Sequence, residues 1–322
     1  LLTDYQVGEL ENCERIEIFV LAFEYNFNRP KFYENTSWSL NATTFQSFDP
    51  SREGPRNIFI DRNDTVYVPV PQKSEILVFR HTKTNHTEII NVLQLHDQAT
   101  IFVTLNGNVY YQSTTDKHIY HRPKDLTSDI LSTTKITHVC FGLFIDSNNT
   151  LYCSIHDTHQ ILATSLNATD TNIETIAGTG SANSSVYGLY FPHGIFVNTN
   201  FDVYVADSDN NRVQRFKRGQ KSGTTVAGNG IPQNLTLRIP KDVILDGDDN
   251  LFIADYMNHQ IIRVGSKEYQ CIVGYTGTSG NSAYQLSHPH SMHFDSYGNI
   301  YVADFVNKRI QKFALISKSH GK

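Results

Sequence analysis

Residues 195–216 read Ile195-Phe196-Val197-Asn198-Thr199-Asn200-Phe201-Asp202-Val203-Tyr204-Val205-Ala206-Asp207-Ser208-Asp209-Asn210-Asn211-Arg212-Val213-Gln214-Arg215-Phe216. Three short runs rich in Val, Ile, Tyr and Phe are separated by clusters of Asn and Asp, the pattern of strands joined by tight turns and too short for helices. A fourth run, Thr224-Thr225-Val226-Ala227-Gly228, follows, so the unit is a four-stranded antiparallel meander. Its register recurs through the chain. Tyr204 corresponds to Tyr67, Tyr110, Tyr152, Phe252 and Tyr301. Six residues before these aromatics stand Asp61, Thr104, Asp146, Asn198, Asp246 and Asp295, and nine after them stand Ile76, Ile119, Ile161, Val213, Ile261 and Ile310. Both offsets hold in all six copies, whereas the distance between successive aromatics ranges from 42 to 52 residues. Such a unit cannot bury its own faces, so copies must stack.

Six meanders that close radially form a β-propeller, which leaves only short, protected edges. The predicted fold is therefore all-β: a six-bladed propeller of four-stranded antiparallel blades. The second strands are almost continuously apolar, as befits strands covered on both faces, and their aromatics read as core between neighbouring blades. Matching outer runs stand at 88–92, 129–132, 173–177 and 270–273. The sixth copy lacks one, while 38–45 reads like an outer strand placed ahead of the first blade. Residues near 42–48 are thus expected to pair with residues near 309–315 and close the ring, hiding two edges. The resulting division is an N-terminal extension at 1–36, the propeller at 37–316 and a tail at 317–322. Within the propeller, the closing strand takes 37–48 and the blades take about 55–95, 98–134, 139–177, 192–228, 240–274 and 289–316.

The chain has 27 Lys and Arg against 32 Asp and Glu, a formal net charge of −5, with no basic run. Nucleic-acid binding needs clustered cations and is disfavoured. The apolar stretch 18–23 is too short to cross a bilayer. Neither a secretory signal nor an initiating methionine is visible, so the chain reads as a processed or excised piece. Eight Asn-x-Ser/Thr sequons, at Asn35, Asn41, Asn63, Asn85, Asn148, Asn167, Asn183 and Asn234, lean toward an extracellular glycoprotein. In a propeller the inner strand starts on one face, here the top. Asn63 and Asn148 then lie in turns at the bottom, and Asn41, Asn85 and Asn167 lead into outer strands from the bottom. Only Asn183 and Asn234 fall in long top loops, which leaves the top open to a partner. Four cysteines, Cys13, Cys140, Cys153 and Cys271, allow three pairings. Cys140 and Cys153 lie on neighbouring strands, but the register sets Cys153 opposite Phe144, about four residues from Cys140 and too far for a bridge without a bend. The pairing stays open.

The last three copies, Tyr204-Val205-Ala206-Asp207 to Asn211-Arg212-Val213, Phe252-Ile253-Ala254-Asp255 to Asn258-His259-Gln260-Ile261 and Tyr301-Val302-Ala303-Asp304 to Asn307-Lys308-Arg309-Ile310, resemble the NHL repeat. The first three copies are degenerate, with Val70, Ser113 and Ile155 in place of the Asp. The resemblance implies a six-bladed binding platform, in a family of both scaffolds and enzymes. Its Asp and Arg pair is read as a clasp of the second turn, not a catalytic couple. The order Pro192-His193-Gly194, Pro240-Lys241-Asp242, Pro289-His290-Ser291 also resembles the peptidyl-hydroxyglycine amidating lyases, NHL-type propellers that hold zinc with channel histidines. That resemblance implies His193 and His290 as zinc ligands, but the third position is Ala99, with Thr100 beside it and His96 nearby. Phe305 replaces the lyase arginine, and Tyr256 loosely matches the catalytic tyrosine.

The residues opening the inner strands should ring the channel mouth: Arg56, Ala99, Phe141, His193, Lys241 and His290. Arg56, His193, Lys241 and His290 are the candidate ligand-binding set, suited to a carboxylate or an acidic loop. His288, His290 and His293 do not converge by strand alternation. Asp246-Gly247-Asp248-Asp249-Asn250 resembles a calcium loop but lacks the distal Glu and reads as a turn. The expectation is a secreted, monomeric, non-catalytic binding or scaffold propeller without a cofactor, recognising a protein, peptide or small anionic ligand at its top face. The alternative is a lyase dependent on zinc or calcium.

Overall fold

The computed structural model describes residues 27–80, 87–91, 95, 100–112, 117–123, 131–167, 172–231, 235–265 and 268–317. Six four-stranded antiparallel sheets are present. In the fourth, Pro192–Val197, Val203–Asp207, Arg212–Phe216 and Gly223–Gly228 follow one another from the axis outward. The first begins with Phe59–Ile60 and ends with Thr87–Asn91. Ring closure is as expected: Thr43–Ser47 completes the sixth blade on Arg309–Phe313, with Thr43 opposite Lys312 and Ser47 opposite Arg309. Trp38 lies outside that strand. With Ser37 it pairs with Leu315–Ser317 in a separate two-stranded ribbon, and its indole N–H donates to Gly298 O at 2.9 Å.

The six-residue offset has a local cause. Asp61 Oδ1 accepts the N–H groups of Asn63 and Thr65, both at 2.9 Å. Asp146, Asn198, Asp246 and Asp295 do the same for residues two and four ahead. This Asx turn is a side-chain mimic of a backbone turn. Its fourth residue is left-handed in every blade: Asp64, Gly107, Asn149, Phe201, Asp249 and Gly298 all have φ between 58° and 84°. The other carboxylate oxygen accepts the hydroxyl of the aromatic six residues on in two blades, Tyr67 at 3.3 Å and Tyr152 at 3.0 Å. A turn of one length and one handedness sets a constant register.

The second turn is a clasp. Asp207 Oδ1 accepts Tyr190 N–H at 2.6 Å, while its Oδ2 accepts Asn210 Nδ2 at 2.8 Å and Arg212 Nε at 2.7 Å. Arg212 also donates to the carbonyls of Ser184, Ser185 and Gly188, holding the loop from the third blade. Asp304, Asn307 and Arg309 repeat this, and Gln260 stands in for the arginine beside Asp255. Blades are stitched to the next by residues in the left-handed region: Ile239 N–H donates to Asn211 Oδ1 at 2.8 Å, and Phe191 and His288 N–H donate to His159 and His259 Nδ1 at 3.2 Å.

Two expectations are corrected. Cys140 and Cys153 are disulfide-bonded with Cα atoms 5.2 Å apart. A register shift between Cys140 and Gly142 supplies the missing bend: Cys140 faces Ile155, and Cys153 faces Leu143, one residue off the expected Phe144. Cys13 lies outside the described residues, and Cys271 is an unbridged, half-buried thiol raised to about 11 by burial. Equivalent bulges between Pro192 and Ile195, Pro240 and Asp242, and Pro289 and Ser291 break strand alternation. Residues three apart, such as His290 and His293 or Phe141 and Phe144, therefore both line the channel; the strict-alternation reading of His293 fails for that reason. His288 instead packs against His259 and Tyr256, ring centroids 4.4 and 4.8 Å away.

Candidate functional site

The channel is a blind cup. Phe27, from the segment assigned to the extension, sits on the axis with edge-to-face contacts of 5.2–6.3 Å to Phe59, Phe102, Phe144, Phe196 and His293. Those five, with Ile244, come one from each blade. Edge-to-face packing suits the ring quadrupoles, so a single side chain stops the bottom. Asn28 donates to Asp61 O and Asp64 Oδ1. Arg29 donates to the carbonyls of Leu245 and Asp246 and to Asp249 Oδ1, and Lys31 pairs with Asp248 at 3.2 Å. The acidic 246–250 loop thus already holds a guanidinium and an ammonium, an arrangement that does not fit calcium.

Above this floor stand the predicted mouth residues. Arg56, Phe141, Lys241 and His290 line the cup, and buried His193 lies between them. Lys241 Nζ is 2.6 Å from His193 Nε2, and the His193 and His290 rings are 5.9 Å apart. Ala99 and His96 lie outside the described residues. Burial, then the neighbouring Lys241 charge, holds His193 well below the usual imidazole range and His290 down at about 3. Both rings are neutral at pH 7. Burial lowers Lys241 to about 8, with Arg56 adding to the depression, so it is mostly an ammonium at pH 7 and donates to His193 Nε2. That lone pair is committed to a cation, and no three His, Cys, Asp or Glu among the described residues are grouped to hold a metal. This donor set does not fit zinc. Asp242 is raised to about 6 by burial, and its oxygens accept Val243 and Met292 N–H. Gly194 makes room for it: a Cβ there would stand 2.3 Å from Asp242 Oδ1.

In the last four blades a second tier stands four positions after the aromatic of the second strand: His156, Ser208, Tyr256 and Phe305, of which buried Ser208 donates to Pro240 O. Each of the three aromatic members bridges neighbouring blades. His156 stacks on Phe141 at 4.3 Å and meets His193 at 5.0 Å; Tyr256 meets His290 at 6.0 Å and lies 5.6 Å from Lys241 Nζ; Phe305 meets His290 at 5.9 Å and carries the Arg56 guanidinium at 4.3 Å. Burial, then the Lys241 charge, lowers His156 to about 4. The sequence reading named Tyr256 and Phe305 only through the lyase resemblance; the constant offset of four from the aromatic finds the tier as a whole.

The comparisons bear on this ring. Residues 189–216 match the NHL repeat model. The chain carries an NHL repeat. A probable peptidyl-α-hydroxyglycine α-amidating lyase from Caenorhabditis elegans is 28% identical over 131 residues, 39% of this chain and 37% of that protein. The aligned part is therefore well under half of that relative. Among solved structures, an auxiliary nutrient binding protein from Bacteroides ovatus superposes on this propeller with a TM-score of 0.65 at 17% identity, covering 91% of this chain and 76% of that one. A streptogramin B lyase gives 0.60 at 14% identity over 89% of this chain and 100% of that one. At these identities the likeness is one of fold.

Among the described residues no helix is long and apolar enough to cross a membrane. Of the sequons, Asn35, Asn41, Asn63, Asn148 and Asn167 are exposed, whereas Asn183 is half-buried and its amide donates to Thr179 Oγ1 at 2.9 Å. Asn85 and Asn234 lie outside the described residues.

Proposed function

We propose that this NHL propeller is an extracellular, glycosylated, non-catalytic recognition module that receives the anionic end of a protein, peptide or small ligand in the cup at its top face. One observation carries the reading: two cationic side chains, Arg56 and Lys241, converge on the cup beside His193 and His290, and after burial itself the Lys241 and Arg56 charges disfavour protonation of both imidazoles, the mark of a positive local field that an incoming anion relieves. Arg56 also pairs with the exposed Glu53 at 3.0 Å. The blind floor supports binding over passage, and the space within the cup, about 60 Å³, is of the order of two waters. It admits a carboxylate, with the rest of the ligand above the rim. The exposed bottom sequons Asn63 and Asn148, and the disulfide, support an oxidising, glycosylating route.

A second reading, the amidating lyase, is favoured by the partial sequence likeness to the worm relative and by His193 and His290 at alternate blades. Metal analysis of the purified protein, a lyase assay on a hydroxyglycine-terminated peptide and calorimetric titration with small carboxylates separate the two. Carboxylate affinity without turnover, weakened about tenfold in Lys241→Met and lost as pH rises through about 8 where Lys241 deprotonates, is the expected outcome. Stoichiometric zinc with turnover overturns it.

A further inference from the structure

The mouth is basic and, beyond what an anion requires, aromatic. Phe141, His156 and Phe191 form a near-parallel stack with centroid separations of 4.3 and 4.0 Å and interplanar angles of 19° and 20°. On the other side Tyr256 meets His290 edge-on and Phe305 meets it at a tilt. Phe191 is held in this position by backbone geometry that few side chains adopt, φ 49°, kept by its N–H bond to His159. Lys241 sits between the two groups, against His193 on one side and 5.6 Å from the Tyr256 ring on the other.

We propose that the ligand is an aromatic carboxylate, its carboxylate on Lys241 and its ring against Tyr256 or the Phe141–His156–Phe191 stack. This rests on the anion-binding reading above and narrows it to a ligand class. Three features point the same way. The open cup is narrow, with about 60 Å³ of space, so a ring lies at the rim, where the aromatic side chains are. The half-buried imidazole of His156 is neutral at pH 7, so it presents a flat, weakly polar face. Aromatic pairs contribute about 0.5–1.5 kcal/mol beyond area burial, a factor of about 2 to 13 per ring in affinity.

The test is calorimetric titration of the intact chain at pH 7 with acetate, benzoate, 3-phenylpropionate and uncharged benzyl alcohol. The expected order places the two aromatic acids at least fivefold tighter than acetate, with benzyl alcohol weaker than either acid. Tyr256→Ala with His156→Ala should lower the ratio of aromatic-acid to acetate affinity at least threefold, while Lys241→Met should weaken all three acids together and leave that ratio in place; circular dichroism and melting temperature confirm that each variant folds. Equal binding of acetate and benzoate overturns the aromatic assignment and leaves the anion reading standing. Failure of all the acids overturns both, and benzyl alcohol binding as tightly as benzoate overturns the carboxylate part.

Discussion

His293→Phe should make the protein more acid-resistant. Five of the six positions surrounding Phe27 are Phe59, Phe102, Phe144, Phe196 and Ile244, and the sixth is a histidine that is 8% exposed. Burial pushes its pKa from 6.5 to about 3. The unfolded chain takes up a proton below 6.5 that the folded ring refuses until about pH 3. The folded state therefore keeps its full stability above 6.5 and loses it as pH falls through that window. At about 1.4 kcal/mol per pH unit, the cost reaches about 3 kcal/mol at pH 4. Phenylalanine removes it. The larger ring adds an overpacking cost of about 1–3 kcal/mol, but that cost is independent of pH. Urea unfolding of both proteins at pH 7 and pH 4 isolates the electrostatic part as the difference between the two mutational effects, expected near 3 kcal/mol in favour of the variant at pH 4. His156, His193 and His290 titrate in both proteins and cancel. A difference under about 1 kcal/mol would refute the claim that His293 is buried and neutral against Phe27.

Three further outcomes follow from the same contacts. Phe27→Ala should cost about 3–5 kcal/mol in urea unfolding, because the five aromatic partners cannot collapse into the void. His259→Asn should leave stability at pH 7 within about 1 kcal/mol, since Asn211 accepts the equivalent N–H one blade earlier. It should also flatten melting-temperature loss below pH 6.5, where wild-type His259, lowered by burial and the His288 charge, must protonate and give up its bond to His288. Replacing Cys140 and Cys153 together with serine should lower stability by about 2–3 kcal/mol, as expected for a loop of 13 residues, with a matching rise in susceptibility of the third blade to limited proteolysis.

Much of the ring was legible because its rules are local. An Asx turn reaches four residues, and an aromatic two residues further reports its register, so Asp61 and Tyr67 announce their blade without reference to any other. The closing strand was legible because an outer run was missing at one end and present at the other. The mouth was legible in part: Arg56, Lys241 and His290 do line one cup and His193 touches two of them. His156, Tyr256 and Phe305 were overlooked as a tier, since only the inner-strand openers were aligned.

The sequence by itself determined the number of blades, their strand order and their register, because each depends on contacts a few residues apart and is repeated six times. Tertiary structure alone decided that Phe27 stoppers the channel, that Arg29 fills the acidic loop and that Lys241 caps His193. Those partners come from the N-terminal segment and from different blades, and their meeting depends on ring curvature and on bulges that turn residues three apart to the same side. Strand alternation cannot express either, so the chemistry at the axis emerges only once the ring has closed.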